Sequence, residues 1–262
     1  MENLLCIITG LEGSGTTYLS YILNSHSQVF SGYETGILLT EPDKFHEIKP
    51  YNTWLSHGSF HWGLPNNFLE IIKNMEYDEI YNYIYINKGS KFENIDMTPQ
   101  YYIRKSLYFF DKTPRYIYNF KKIYQNLNNN KLPFFLVFKK FNEIYTSYVF
   151  KRNNTKETFY FNILKIIDLL NWLKENKIKN VYVINFENIL EKNFIKKIQN
   201  IIYTYNVKIN KEDLNIKMYY SKVLNYDYPY KNWVPCSSKE QIYTIDFIKK
   251  TYNNLIDELS LK

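Results

Sequence analysis

Cysteine and histidine are scarce in this 262-residue chain, which has two cysteines and four histidines. Cys6 lies in a strand-like run and Cys236 lies far from it, so the sequence predicts no disulfide framework and is typical of a reducing compartment. His57 and His61 have helical i, i+4 spacing, but Gly58 lies between them and no acidic residue or cysteine completes a ligand set. We therefore expect no metal site.

Long apolar runs are also absent from the sequence. No stretch reaches the ~18 residues that a membrane-spanning helix needs. The first residues, Met1-Glu2-Asn3, lack the positive charge with which a signal peptide begins. We expect a cytoplasmic protein without a membrane span.

No proline-rich or serine-rich linker divides the chain, so we expect residues 1–262 to form a single domain. The formal net charge of +7 favours anionic ligands. Lysines are spread along the whole sequence, and no nucleic-acid-binding motif is present. We therefore expect no nucleic acid partner. The sequence does not predict an oligomeric state.

The most informative segment is a glycine-rich turn between a strand and a helix. The apolar run Leu4–Thr9 predicts a buried strand, and Tyr18–Leu23 predicts a helix. Between them lies the sequence GLEGSGTT, residues 10–17. Glycines allow the backbone to turn tightly and approach a ligand, and the helix N-terminus favours negative charge. The segment therefore predicts a phosphate-binding loop.

This loop lacks a residue that ordinary ATP and GTP hydrolases need. Gly10 and Gly15 have the spacing of a Walker loop, but Thr16 stands where that loop places the lysine for the β- and γ-phosphates. The sequence therefore disfavours hydrolysis of nucleoside triphosphates. A P-loop-like kinase that uses ATP and magnesium stays open as an alternative.

A second anion site is predicted in the middle of the chain. The strand-like run Phe134–Phe138 leads into Lys139 and then into a helical stretch. Ser147 and Lys151 lie on one face of that helix, while Lys139 lies at the end of the strand that precedes it. Two cations and a hydroxyl are therefore expected to converge on one anion, although a basic helix face is the simpler interpretation of such a charge run.

A third segment, Asp111–Tyr116, follows strand-like residues and opens a helix with Pro114 in its first turn. It places Lys112 at the carboxyl end of a strand, where open α/β sheets bind ligands. Predicted strands at Leu4, Leu107, Phe134 and Val181 alternate with helices. This alternation predicts an α/β fold with a P-loop-like, mostly parallel sheet covered by helices on both faces.

Together these segments resemble the sulfotransferases that use 3′-phosphoadenosine 5′-phosphosulfate (PAPS), in particular bacterial enzymes and tyrosylprotein sulfotransferases. The resemblance covers positions 5 to 190 and includes Val181–Leu190, which is similar to the strand and turn that follow in many members. It implies that the donor is PAPS, that the product is PAP (adenosine 3′,5′-bisphosphate), and that no metal is required. Its implied 5′-phosphosulfate loop consists of Gly13, Ser14, Gly15, Thr16 and Thr17.

The resemblance also implies roles for single residues. Lys139, Ser147 and Lys151 match the residues that hold the 3′-phosphate, with lysine where arginine is usual. Glu34, in the segment Ser31–Thr35, matches the catalytic base, and Lys112 matches the cation that stabilises the bridging oxygen. These roles agree with transfer chemistry, which needs a base within hydrogen-bond reach of the acceptor and donors for the leaving group.

One position departs from the family pattern. The residue before the Ser-Gly pair is usually basic in these enzymes, and here it is Gly13. The sequence leaves two interpretations open. Lys112 carries the role of that cation alone, or the protein is a catalytically degenerate member that binds PAP.

The expected reaction is transfer of a sulfuryl group to a hydroxyl of a glycan or a small molecule, and peptide tyrosine is the less favoured acceptor. Residues 40–105 form an expected acceptor-binding insertion between Glu34 and Lys112. Within it, the aromatic stretch Trp54–Trp62 predicts either an acceptor wall or an aromatic cluster under a loop. The basic, aromatic segment Lys222–Trp233 is expected, by resemblance, to close over the nucleotide.

Overall fold

The computed structural model describes residues 3–24, 29–30, 34–39, 63–88, 107–127, 132–191, 193–205 and 239–261. Within these ranges the strands are β1 (Leu4–Thr9), β2 (Val29–Phe30), β3 (Tyr108–Lys112), β4 (Phe134–Phe138) and β5 (Val181–Asn185). The α-helices are α1 (Thr16–Asn24), α2 (Phe68–Ile71), α3 (Tyr77–Asn87), α4 (Phe120–Leu127), α5 (Phe141–Tyr145), α6 (Lys156–Asn176), α7 (Phe186–Ile189), α8 (Phe194–Tyr205) and α9 (Lys239–Leu259).

The strands form one sheet in the order β2-β3-β1-β4-β5, and every neighbouring pair is parallel. β4 and β5 pair without a break from Phe134 opposite Val181 to Phe138 opposite Asn185. In the register of β1 and β3, Ile8 lies opposite Lys112. The carboxyl ends of all these strands therefore meet at one edge of the sheet.

Helices cover both faces of this sheet. Because side chains alternate along a strand, Phe134, Leu136 and Phe138 point into one apolar core, whereas Phe135 and Val137 point into the other. The first core also contains buried residues of α3, α4, α6 and α9, and the second contains buried residues of α1 and α8. Continuous apolar strands such as FFLVF are typical of a parallel sheet that is buried on both faces.

Two of the helical segments have clear local causes. Pro114 is the first residue of a 3-10 helix, Pro114–Asn119, where its fixed φ is favourable and its missing N–H is harmless. Thr155 caps α6 by accepting a hydrogen bond from the amide of Thr158, and Lys177 ends this helix in the left-handed conformation. α5 continues directly into a π-turn, Thr146–Phe150.

The predicted α/β fold with a parallel sheet and helices on both faces is confirmed. Details differ at three points. Asp111 and Lys112 belong to β3 itself, the predicted helix after Lys139 splits into α5 and the π-turn, and the two-residue strand β2 lacks a sequence signal because it is too short to show alternation.

Candidate phosphate-binding and catalytic site

The predicted site residues lie at the carboxyl edge of the sheet, in the segments that leave its strands. β1 ends at Thr9 and enters the glycine loop, β3 ends at Lys112, and β4 continues into Lys139. A backbone hydrogen bond joins the ends of β1 and β3, because the amide of Thr113 donates to the carbonyl of Ile8 at 3.1 Å. Open parallel sheets bind their ligands at this edge.

Two glycines of the loop adopt backbone conformations that other residues avoid. Gly13 has φ +90° and Gly15 has φ +105°, both in the region that favours glycine. A Cβ atom on Gly15 would lie 2.1 Å from Cδ2 of Phe186, and one on Gly13 would lie 2.9 Å from Cβ of Ser147. The loop therefore packs closely against the segments that follow β4 and β5, and glycine is required at both positions.

The loop offers hydrogen-bond donors that the described residues do not use. The hydroxyl of Ser14 is fully buried and has no hydrogen-bond partner in the described part of the chain. Thr16 and Thr17 open α1, where the first N–H groups of a helix have no intrahelical acceptor. A buried hydroxyl without a partner costs free energy that an oxygen-rich ligand would recover. This donor set fits a phosphate or sulfate group.

Glu34 and Lys112, the predicted catalytic residues, form an ion pair. Nζ of Lys112 donates to Oε1 of Glu34 at 2.7 Å, and the side chains are 9% and 16% exposed. The second carboxylate oxygen of Glu34 has no hydrogen-bond partner among the residues that the structure describes. The pair thus combines a carboxylate that is able to accept a proton with a cation beside it.

A buried network fixes the chain on either side of this pair. Asp111, next to Lys112, is fully buried and accepts hydrogen bonds from four hydroxyl groups, those of Thr35, Tyr81 and Tyr116 at 2.7 Å each and that of Thr113 at 3.0 Å. Burial raises the pKa of Asp111, and the four hydrogen bonds oppose this shift. Burial and, after it, the charge of Asp111 raise the pKa of Tyr81 and Tyr116, so both remain hydroxyl donors.

Backbone hydrogen bonds attach the Glu34 segment to the same network. The amide of Gly36 donates to Oγ1 of Thr113 at 3.2 Å, and the amide of Leu38 donates to the hydroxyl of Tyr116 at 3.2 Å. The segment 34–39 is therefore held against the end of β3, and Glu34 is held beside Lys112.

The second predicted anion site lies next to the glycine loop. Lys139 is 6% exposed, and its ammonium lies 4.6 Å from the centre of the Phe186 ring. Burial and, after it, the charge of Arg152 lower the pKa of Lys139, while Glu143 opposes the shift. Ser147 is buried on the π-turn against Gly13, and Lys151 is exposed at the end of that turn. Lys140 pairs with Asp257 of α9 and belongs to another surface.

The structure adds residues to this edge that the sequence did not assign to it. Phe186, the first residue after β5, covers Gly15 and stacks edge-on with Tyr18 at 5.6 Å. Glu12 accepts a hydrogen bond from Nε of Arg115 at 3.0 Å and so connects the glycine loop to the segment after β3. The sequence shows that Phe186 and Glu12 each follow a strand, which is the feature that could have indicated a site. Only the fold shows which strand ends are neighbours.

Several predictions concern residues outside the described part of the chain. They are the aromatic stretch Trp54–Trp62, the segment Lys222–Trp233 and the residue Cys236. In the ranges that the structure covers, no cluster of His, Cys, Asp or Glu is arranged to hold a metal ion. None of the helices in those ranges combines the length and the apolar character needed to cross a membrane.

The sheet order, the glycine loop after β1 and the helices on both faces define a P-loop-like α/β protein. No protein-family model matches the chain, and no curated protein gives a significant match. Among solved structures, the chain is similar to a sulfotransferase domain from the Synechococcus PCC 7002 olefin synthase, with a TM-score of 0.50 and 13% sequence identity. The match covers 94% of this chain and 93% of that domain. The protein therefore has a sulfotransferase-like fold.

Proposed function

We propose that this protein is a PAPS-dependent sulfotransferase that transfers a sulfuryl group to a hydroxyl of a glycan or a small molecule. The observation that carries the proposal is the ion pair of Glu34 and Lys112, at 2.7 Å. Lys112 ends β3, and β3 pairs with β1, the strand that enters the glycine loop. A base and a cation at the carboxyl edge, next to a phosphate loop, are the groups that such a transfer needs. The sulfotransferase-like fold supports the proposal.

The donor supplies an activated sulfuryl group: its bond from sulfur to the phosphate oxygen breaks, the electron pair stays on that oxygen, and a bond from sulfur to the acceptor oxygen forms. Glu34 takes the acceptor proton on its second carboxylate oxygen, the one that Lys112 does not contact. Lys112, released from part of its interaction with Glu34 as that carboxylate becomes neutral, is then available to the leaving phosphate. Ser14, Thr16 and Thr17 bind the 5′-phosphate end through the hydroxyl and amide donors of the loop.

Lys139, Ser147 and Lys151 hold the 3′-phosphate in this proposal. If they do, changing Ser147 and Lys151 together to alanine will raise the dissociation constant of PAP by about 100-fold, because two charge-assisted or hydroxyl contacts are lost. The same variant will bind 5′-AMP nearly as well as wild type, since 5′-AMP has no 3′-phosphate. Isothermal titration calorimetry with both ligands measures the difference.

The control for this variant is Lys165→Ala, which removes an exposed cation of α6 whose ammonium lies 4.4 Å from the centre of the Phe161 ring. It is expected to bind both ligands as wild type does. Equal losses of PAP and 5′-AMP in the double variant would place the 3′-phosphate elsewhere.

The lowered pKa of Lys139 predicts a pH dependence of PAP binding. Burial lowers this pKa below its ordinary value of 10.5, so the ammonium loses its proton, and with it the attraction for phosphate, at a lower pH than an exposed lysine does. Affinity for PAP will therefore fall as pH rises toward the lowered pKa. In Lys139→Arg the fall will move to higher pH, because guanidinium stays charged. Titrations over a pH series test this, and identical profiles for the two proteins would exclude Lys139 as the titrating group.

A direct test of the proposed reaction measures PAP formed from PAPS in the presence of three acceptor classes, namely sugars, phenols and tyrosine peptides. The proposal predicts acceptor-dependent PAP formation with a sugar or a phenol.

Gly13 favours a second candidate function, that of a protein that binds PAP without catalysing transfer, because no cation is carried at that position. Tight PAP binding with no transfer to any of the acceptors would support that second candidate.

A further inference from the structure

The glycine loop has no basic side chain at position 13, and Arg152 from another segment lies beside this position. The ideal Cβ position of Gly13 is 3.6 Å from Nε of Arg152. Arg152 follows the π-turn by two residues, so it is far from Gly13 in sequence and adjacent to it in space. Its side chain is 50% exposed, which leaves the guanidinium accessible to a ligand in solution.

Within the described part of the chain, Arg152 lies beside the loop through an ion pair and makes no hydrogen bond. Nη1 of Arg152 lies 3.9 Å from Oε2 of Glu12, which is an ion pair but is too long for a hydrogen bond. The other oxygen of Glu12 is hydrogen bonded to Arg115 at 3.0 Å, so the position of this carboxylate is fixed. Among the described residues the structure gives Arg152 no hydrogen bond.

The charge of Arg152 also acts on Lys139, a residue of the second anion site. Its charge contributes to the lowered pKa of Lys139, so the two cations lie close enough to repel each other. Anions bound beside each of the two cations would relieve this repulsion, and the proposed nucleotide carries one phosphate for each. The buried hydroxyl of Ser14, which lacks a partner among the described residues, belongs to the same loop.

We propose that Arg152 is a donor-binding residue that supplies, from the segment after the π-turn, the cation that position 13 lacks, and that its guanidinium contacts the 5′-phosphate of the nucleotide. This inference rests on the proposed function, because it takes an adenosine nucleotide with a 5′-phosphate as the ligand. A planar guanidinium with free donors suits a phosphate, which it binds in a bidentate manner.

Two ligands separate this contact from the 3′-phosphate site. Arg152→Ala is expected to raise the dissociation constant of PAP by about 10-fold or more, the usual effect of losing a hydrogen-bonded charged contact. It is expected to leave the dissociation constant of adenosine 3′-phosphate unchanged, since that nucleotide has no 5′-phosphate. Arg152→Lys keeps the charge without the bidentate geometry and will fall between Arg152→Ala and wild type for PAP.

Lys165→Ala serves as the control for loss of one surface cation, and Arg152→Gln replaces Arg152→Ala if the alanine variant is poorly folded by circular dichroism. If Arg152→Ala binds PAP as tightly as Lys165→Ala does, or loses both ligands equally, Arg152 does not contact the 5′-phosphate. If the wild-type protein binds neither ligand, the proposed function fails, and this inference fails with it.

Discussion

Glu34→Gln will lower the rate of sulfuryl transfer by about 10²- to 10⁴-fold, the usual contribution of a positioned general base. Glutamine has nearly the same shape as glutamate, and its carbonyl oxygen is able to accept the hydrogen bond that Lys112 now donates at 2.7 Å. The substitution therefore removes the basic group and keeps the packing. The measurement is the rate of PAP formation from PAPS with the best acceptor.

The dissociation constant of PAP distinguishes loss of the base in Glu34→Gln from damage to the nucleotide-binding site. Glu34 has no phosphate to hold in the proposed arrangement, so the dissociation constant of PAP will stay within about two-fold of wild type. Glu175→Gln, on the exposed face of α6, is the matched control and will be fully active. A Glu34→Gln enzyme with wild-type activity would remove Glu34 from the mechanism.

Asp111→Ala will lower the free energy of unfolding by about 3 kcal/mol or more, because it leaves four buried hydroxyl groups without their acceptor. It will also abolish transfer, since Thr35 and Thr113 position the segments that carry Glu34 and Lys112. Asp111→Asn keeps one acceptor oxygen but exchanges the other for an NH₂ group, so it loses the charge and at least one of the four hydrogen bonds. Its destabilisation will be smaller than that of Asp111→Ala, about 1 to 2 kcal/mol. Urea unfolding measures both.

The control for this pair is Asp168→Asn on α6. Asp168 is 74% exposed and pairs with Lys121, so its loss will change stability by less than about 0.5 kcal/mol. If Asp111→Ala were as stable as this control, the hydroxyl network would contribute nothing to holding the end of β3. If Asp111→Asn were stable and yet inactive while it still bound PAP, the full carboxylate of Asp111, with its charge and both acceptor oxygens, would be needed to position the catalytic pair.

The sequence predicted the parts of the fold that depend on local pattern. The run FFLVF and the apolar run before the glycine loop are buried strands as predicted, and Pro114 opens a helical segment as predicted. Each signal lies within a few neighbouring residues. The short β2 and the π-turn carry no such signal, since two residues show no period and a π-turn differs from an α-helix by one hydrogen-bond step.

The site was predictable only as a set of separate segments. Glu34 and Lys112 were assigned by resemblance to a family, and the structure shows that they touch although they lie 78 positions apart. The hydroxyl network around Asp111 was not predictable, because two of its partners, Thr35 and Tyr81, come from distant segments and because threonine and tyrosine hydroxyls give no sequence pattern. The same holds for Arg152 beside Gly13, which depends on how the π-turn packs on the loop.

The central claim is that the carboxyl edge binds a nucleotide with phosphates at both its 3′ and 5′ positions. The most direct measurement is a thermal-shift titration of wild-type protein with PAP, 5′-AMP, ADP, and ATP with magnesium, because a ligand that binds only the folded state raises Tm with its concentration. The account predicts the largest rise with PAP. Stabilisation by ATP and magnesium without stabilisation by PAP would contradict it and would support a P-loop-like kinase.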